Sequence, residues 1–139
     1  MTLNFLTIPA ALVLVATLAS ASGRPRTPEE VVRAYTQAAN EGDLEAFLAL
    51  YAPGIRKYRF PGELASEGIA HNREVYTKAF ASYPDLRVEI VDLLVQDEIV
   101  VVHDRVTGRP DGRTADEITV YEVKGGLITN ILYAKQSVH

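Results

Sequence analysis

The chain contains no cysteine. That excludes disulfides, thiolate-bound zinc, iron–sulfur clusters and cysteine nucleophiles together. It has no tryptophan, and its single methionine is the first residue, so seven tyrosines and four phenylalanines carry the aromatic surface. There is no basic excess: 14 Lys and Arg stand against 18 Asp and Glu, a net charge of -4. Such a chain is poorly suited to neutralising phosphates, and no nucleic-acid partner is expected. The histidines are His71, His103 and His139, without paired spacing, so no metal site is expected. No phosphate-cradling glycine loop, dinucleotide fingerprint, nucleophile-elbow serine or zinc-protease helix occurs. No cofactor is implied. What is present, in 139 residues, is 47% hydrophobic and 23% charged, the composition of one folded domain.

The first charged side chain is Arg24. The run before it, LNFLTIPAALVLVATLASA, ends in Ala19-Ser20-Ala21, a small-x-small pattern that suits signal cleavage. We expect residues 1–21 to be a signal peptide, residues 22–26 a linker and residues 27–139 the domain, in a secreted or periplasmic protein. A retained membrane anchor is the alternative. The unbroken apolar part is shorter than the about 20 residues a spanning helix needs, so no stable membrane insertion is expected after cleavage.

Thr27-Pro28-Glu29-Glu30 combines a cap, a first-turn proline and a capping-box glutamate. The helix it opens has Val31, Tyr35, Ala38 and Ala39 on one face and ends at Gly42. Asp43 caps a second helix with the face Leu44, Phe47, Leu48 and Tyr51, which Pro53-Gly54 stops. Residues 55–60 read as a short strand, Pro61-Gly62 as a bend and residues 63–71 as a loop. A third helix is expected over 72–82, with Val75, Tyr76, Ala79 and Phe80 inward. The remainder reads as strands at 86–95, 99–107, 114–123 and 127–135. Helices followed by a meander predict an α+β fold, with the helices covering one face of a curved antiparallel sheet.

The stretches TPEEVVRAYTQAANEGDLEAFLALYAP, PGELASEG, YPDLRVEIVD, VVHDRVTG and YEVKGGLI resemble the SnoaL-like branch of the nuclear transport factor 2-like superfamily. The resemblance implies a cone-shaped fold: three N-terminal helices on a strongly curved antiparallel sheet that encloses a pocket. It includes ketosteroid isomerases, polyketide cyclases, limonene epoxide hydrolases and non-catalytic binding domains, so fold alone does not settle chemistry. Tyr35 falls where the isomerases carry an oxyanion-binding tyrosine. Arg59 and Phe60 stand nearest to their aspartate base, and Thr119 near their second oxyanion donor. Arg105 resembles the arginine of the epoxide hydrolases, but Thr107 and Tyr133 stand where their carboxylates would be. Neither catalytic set carries over intact.

Alternation on the strand at 99–107 puts Val101, His103, Arg105 and Thr107 on one face, and Val100, Val102, Asp104 and Val106 on the other. The Arg105 resemblance suggests that the first face lines the pocket. His103 then serves as an acid or base near neutral pH, and Arg105 holds a carboxylate or enolate. The alternative is a solvated rim, with both pairing to Asp104 or Glu117. Glu63, beside Pro61-Gly62, is a candidate base, with Glu117 a second. Tyr35, Tyr58, Thr119, Tyr121 and Tyr133 are the candidate ligand-binding residues. The resulting expectation is a small, largely apolar or carbonyl-containing ligand, with cofactor-independent chemistry of isomerase, cyclase or hydrolase type. A non-catalytic secreted binding domain, or a homodimerisation domain, is the alternative.

Overall fold

Thr27 caps the first helix through a reciprocal pair of bonds: its Oγ1 accepts from the Glu30 amide at 3.2 Å, and its own amide donates to Glu30 Oε2 at 2.8 Å. The computed structural model describes residues 23–139. The apolar segment at 1–21 lies outside the described residues. From Thr27 onward, α1 (Pro28–Glu41) closes on Gly42 at φ 65°, in the left-handed region where glycine meets no Cβ penalty. Asp43 Oδ1 then accepts from the Ala46 amide and starts α2 (Leu44–Leu48).

The chain continues as β1 (Tyr51–Arg59), β2 (Glu63–Glu67), α3 (Ile69–Ser82), β3 (Arg87–Gln96), β4 (Ile99–Thr107), β5 (Ala115–Lys124) and β6 (Leu127–Val138). The six strands form one curved, unclosed sheet in the order β2-β1-β6-β5-β4-β3. β1 runs parallel to β6, and every other neighbouring pair is antiparallel. The helices cover one face. Val31, Val32, Phe47, Leu48, Ile55, Val100, Val102, Ile128 and Ile131 fill the space between them, each no more than 2% exposed. Removal of such side chains from water supplies about 1.5–3 kcal/mol each and dominates the folding free energy. Among the described residues, no helix is long and apolar enough to cross a membrane.

Three local expectations differ from the structure. Tyr51 begins β1 instead of ending α2, and Pro53-Gly54 sits inside the strand. The β1–β6 register shifts between Tyr51 and Arg56, and this irregularity accommodates a residue without an amide hydrogen. Residues 63–67, expected as loop, pair with β1 as an edge strand after the Pro61-Gly62 turn. Finally, α3 starts at Ile69 and leaves Val75 43% exposed, while Asn72 is buried and Tyr76 and Phe80 pack on the core.

Candidate functional site

Burial alternates residue by residue along β4. Val100 and Val102 are fully buried, Asp104 is 4% exposed and Val106 6%. The expectation that the His103 and Arg105 face lines the pocket is therefore corrected. Both side chains lie on the opposite face, gathered on Asp116: His103 Nε2 is 3.4 Å from its Oδ1, and Arg105 Nε donates to the same oxygen at 3.3 Å. His139 approaches the other oxygen at 3.4 Å. The expected alternative partners, Asp104 and Glu117, do not pair with them. The physical reason is area. Val100, Val102 and Val106 offer more apolar surface to bury than Ile99 and Val101, and on the outer face Arg and His keep their polar heads hydrated.

The inward face opens onto a cavity of about 420 Å³. It lies between the C-terminal half of α1, the C-terminal half of α3, the start of β3 and the facing strands β4, β5 and β6. Phe47 and Phe80 supply apolar wall, and Tyr35, Thr119, Tyr121 and Tyr133 bring hydroxyls to it. Of the candidate ligand-binding residues, only Tyr58 is not at this wall. It sits on β1, paired with Leu64 and Leu132. Glu63 is also elsewhere: it lies on edge strand β2, its side chain 73% exposed, 3.9 Å from Arg59. Its edge position and solvation place it away from the cavity where a candidate base was expected.

Of the carboxylates that line the cavity, Glu41, Asp104 and Glu117, the buried one is Asp104. Its Oδ1 is buried without a hydrogen-bond partner among the described residues. Burial pushes its carboxyl up to about 6, and the Glu117 charge opposite it adds to the effect. Glu117 also lines the cavity, and its Oε1 accepts from Gln136. A buried carboxylate that lacks a donor and titrates near neutrality can take up or release a proton in this apolar space.

Tyr76, on α3, faces the same cavity. Its hydroxyl accepts from Lys57 Nζ at 2.9 Å, and the same ammonium donates to Tyr51 at 2.9 Å. Tyr51 in turn shares a 2.8 Å bond with Tyr35. The ammonium also stands over both rings, 4.9 Å from the Tyr51 centroid and 4.5 Å from that of Tyr76. Burial pushes Lys57 below its ordinary value. Burial opposes ionisation of Tyr76, but the Lys57 charge and hydrogen bond, with the Tyr35 and Tyr133 hydroxyls, outweigh it and draw the phenol below its ordinary value. Tyr35 and Tyr121 go the other way, because burial dominates there.

Sequence reasoning missed Asp104, Lys57 and the role of Tyr76 as a polar group. A signal existed for the first two. Asp104 has the parity of three valines, and Lys57 the parity of Ile55. No spacing rule could join Lys57 to Tyr76, because the end of β1, all of β2 and the first half of α3 separate them. Among the described residues, no group of three or more His, Asp or Glu side chains converges to hold a metal ion.

Solved structures share this architecture. An uncharacterised cystatin-fold protein from Novosphingobium aromaticivorans is 22% identical with a TM-score of 0.72, over 79% of this chain and 99% of that one. A protein provisionally named a ketosteroid isomerase, from Kribbella flavida, is 22% identical with a TM-score of 0.65, over 77% and 76%. A SnoaL-like protein of unknown function from Burkholderia thailandensis is 22% identical with a TM-score of 0.63, over 84% and 99%. At these identities the likeness is one of fold. No curated protein matches the sequence. The SnoaL-like domain profile matches residues 32–131, which runs from within α1 into the first half of β6. By that match, and with the fold to support it, the chain belongs to the SnoaL-like domain family.

Proposed function

We propose that the protein binds a small, largely apolar carbonyl compound in the α1–α3–sheet cavity and moves a proton on it without a cofactor, as an isomerase or cyclase does. The observation that carries this reading is Asp104: a buried carboxylate on the cavity wall, one oxygen unpartnered, titrating near 6. In this reading Asp104 takes a proton from the carbon beside the carbonyl. The Tyr76 hydroxyl, polarised by Lys57, donates a hydrogen bond to the enolate oxygen as it forms. Asp104 then returns the proton to the same or a conjugated carbon. The apolar walls keep the carboxylate poorly solvated and hence basic. The Kribbella flavida relative's provisional name is consistent with this class of reaction. Export rests on the apolar segment at 1–21 and is proposed alongside, to be tested by cell fractionation.

The experiment is deuterium exchange. Apolar ketones, incubated with the protein in heavy water and followed by NMR, should exchange their α-hydrogens faster than in buffer. Asp104→Asn should remove about 10²-fold or more of that acceleration, the usual share of a general base. Ketones that bind in the cavity without any exchange would instead leave a non-catalytic binding domain.

A further inference from the structure

Tyr76 and Tyr133 also line a second, smaller recess of about 170 Å³. Its polar lining is Lys57, Arg59, Ser66, His71 and Asn72, with no acidic side chain among the described residues. Lys57 is only 5% exposed and Asn72 1%. An ammonium has three donors. Two of those of Lys57 go to the Tyr51 and Tyr76 hydroxyls, and no carboxylate pairs with it among the described residues. A buried cation without a counter-charge is costly, so a small anion beside it is strongly favoured. Arg59 adds to the positive field from the recess wall, and His71 also lines it. Arg59 is only loosely engaged, with its Nη1 3.9 Å from Glu63.

We propose that this recess binds a short-chain aliphatic carboxylate, its head on Lys57 and its tail against Ala65, Val75 and the rings of Tyr76 and Tyr133. The space equals the liquid volume of about five or six waters, which admits an acid of a few carbons. The apolar walls favour a carboxylate with a tail over an inorganic anion, which has nothing to bury there. This recess shares Tyr76 and Tyr133 with the larger cavity, and Lys57 also serves Tyr76 there; propionate binding tests the recess and α-hydrogen exchange tests the cavity, so the two proposals fail separately.

The test is calorimetric titration of the whole chain with sodium propionate. Sodium phosphate, and propionamide as the neutral isostere, serve as rivals in sodium chloride at matched ionic strength. Saturable propionate binding is expected, with propionamide and phosphate much weaker. Lys57→Met should weaken propionate binding by about tenfold or more. Arg59→Gln, at an exposed position that leaves the core untouched, should weaken it by about threefold. Absence of saturable propionate binding, equal binding of propionamide or phosphate, or unchanged affinity in both variants would overturn the assignment.

Discussion

Asp104 stands directly opposite Glu117 across the β4–β5 pair, and both carboxylates line the same cavity. Like charges opposed on one face of a sheet repel. The arrangement persists because Gln136 donates to Glu117, while the Asp104 carboxyl holds its proton to higher pH. A stability cost is thereby kept on the cavity wall.

Asp104→Asn should stabilise the protein at alkaline pH. The carboxyl is raised from 3.8 to about 6 by burial and by Glu117. The folded state therefore binds this proton more tightly than the unfolded state does. The cost is absent below about pH 4, grows as pH rises through 6, and is complete above it. It amounts to at most about 3 kcal/mol. Melting curves of both proteins from pH 4 to 8 check this. A gap in melting temperature that does not widen with pH would contradict the assigned burial.

Tyr76→Phe and Lys57→Met should each remove the same titration. One tyrosine of the wild type should ionise below the ordinary phenol range, because the Lys57 ammonium lies 2.9 Å from its hydroxyl. Ultraviolet absorbance during alkaline titration counts such groups. Either variant retaining the early transition would show that the phenol involved is not the one on α3.

Arg105→Met should leave cavity ligands bound as before. Its guanidinium is 46% exposed and pairs with Asp116 on the other face of the sheet. Loss of such a pair changes stability by no more than about 1 kcal/mol. Binding titrations with apolar ketones, beside thermal melts, separate the two effects. A large loss of affinity would return this face to the candidate site.

Gly108→Ala should damage the fold severely for so small a change. Gly108 follows β4 at φ 71°, and a Cβ there would fall 1.9 Å from the Asp85 backbone oxygen. The strain and the clash together should cost at least about 2 kcal/mol. Denaturant unfolding measures it. Gly112→Ala, also at φ 71° but with open space around it, is the control and should cost less.

A chain beginning at Ser22 should fold cooperatively. The capping box at Thr27 and Glu30, and the Arg24–Glu30 ion pair, are complete within residues 24–30. Circular dichroism and a melting curve on residues 22–139 check it, with aggregation as the contrary result.

Much of the fold was legible because its signals are local. The Thr27 cap, the Gly42 stop and the period-two pattern on β4 and β5 each depend on side chains within a few positions of one another. β2 was not legible, because Glu63–Glu67 is short and polar and gains strand structure only by pairing with β1. At the site, Tyr35, Thr119, Tyr121 and Tyr133 lie on the cavity wall, whereas His103 and Arg105 face away from it and Glu63 stands on an exposed edge strand, positions that only the packing of the sheet decides.

The sequence by itself determined the partition of β4 into two faces, since alternation follows from strand geometry whatever the fold. Which face turned inward was decided by tertiary packing: the helices bury the set with more apolar area, and Asp104 goes in with Val100, Val102 and Val106. The same holds for Lys57. Its position on a strand beside Ile55 is local information. Its two tyrosine partners and the recess beside it exist only because β1, β2, α3 and β6 converge there, and only that convergence makes a buried ammonium sustainable.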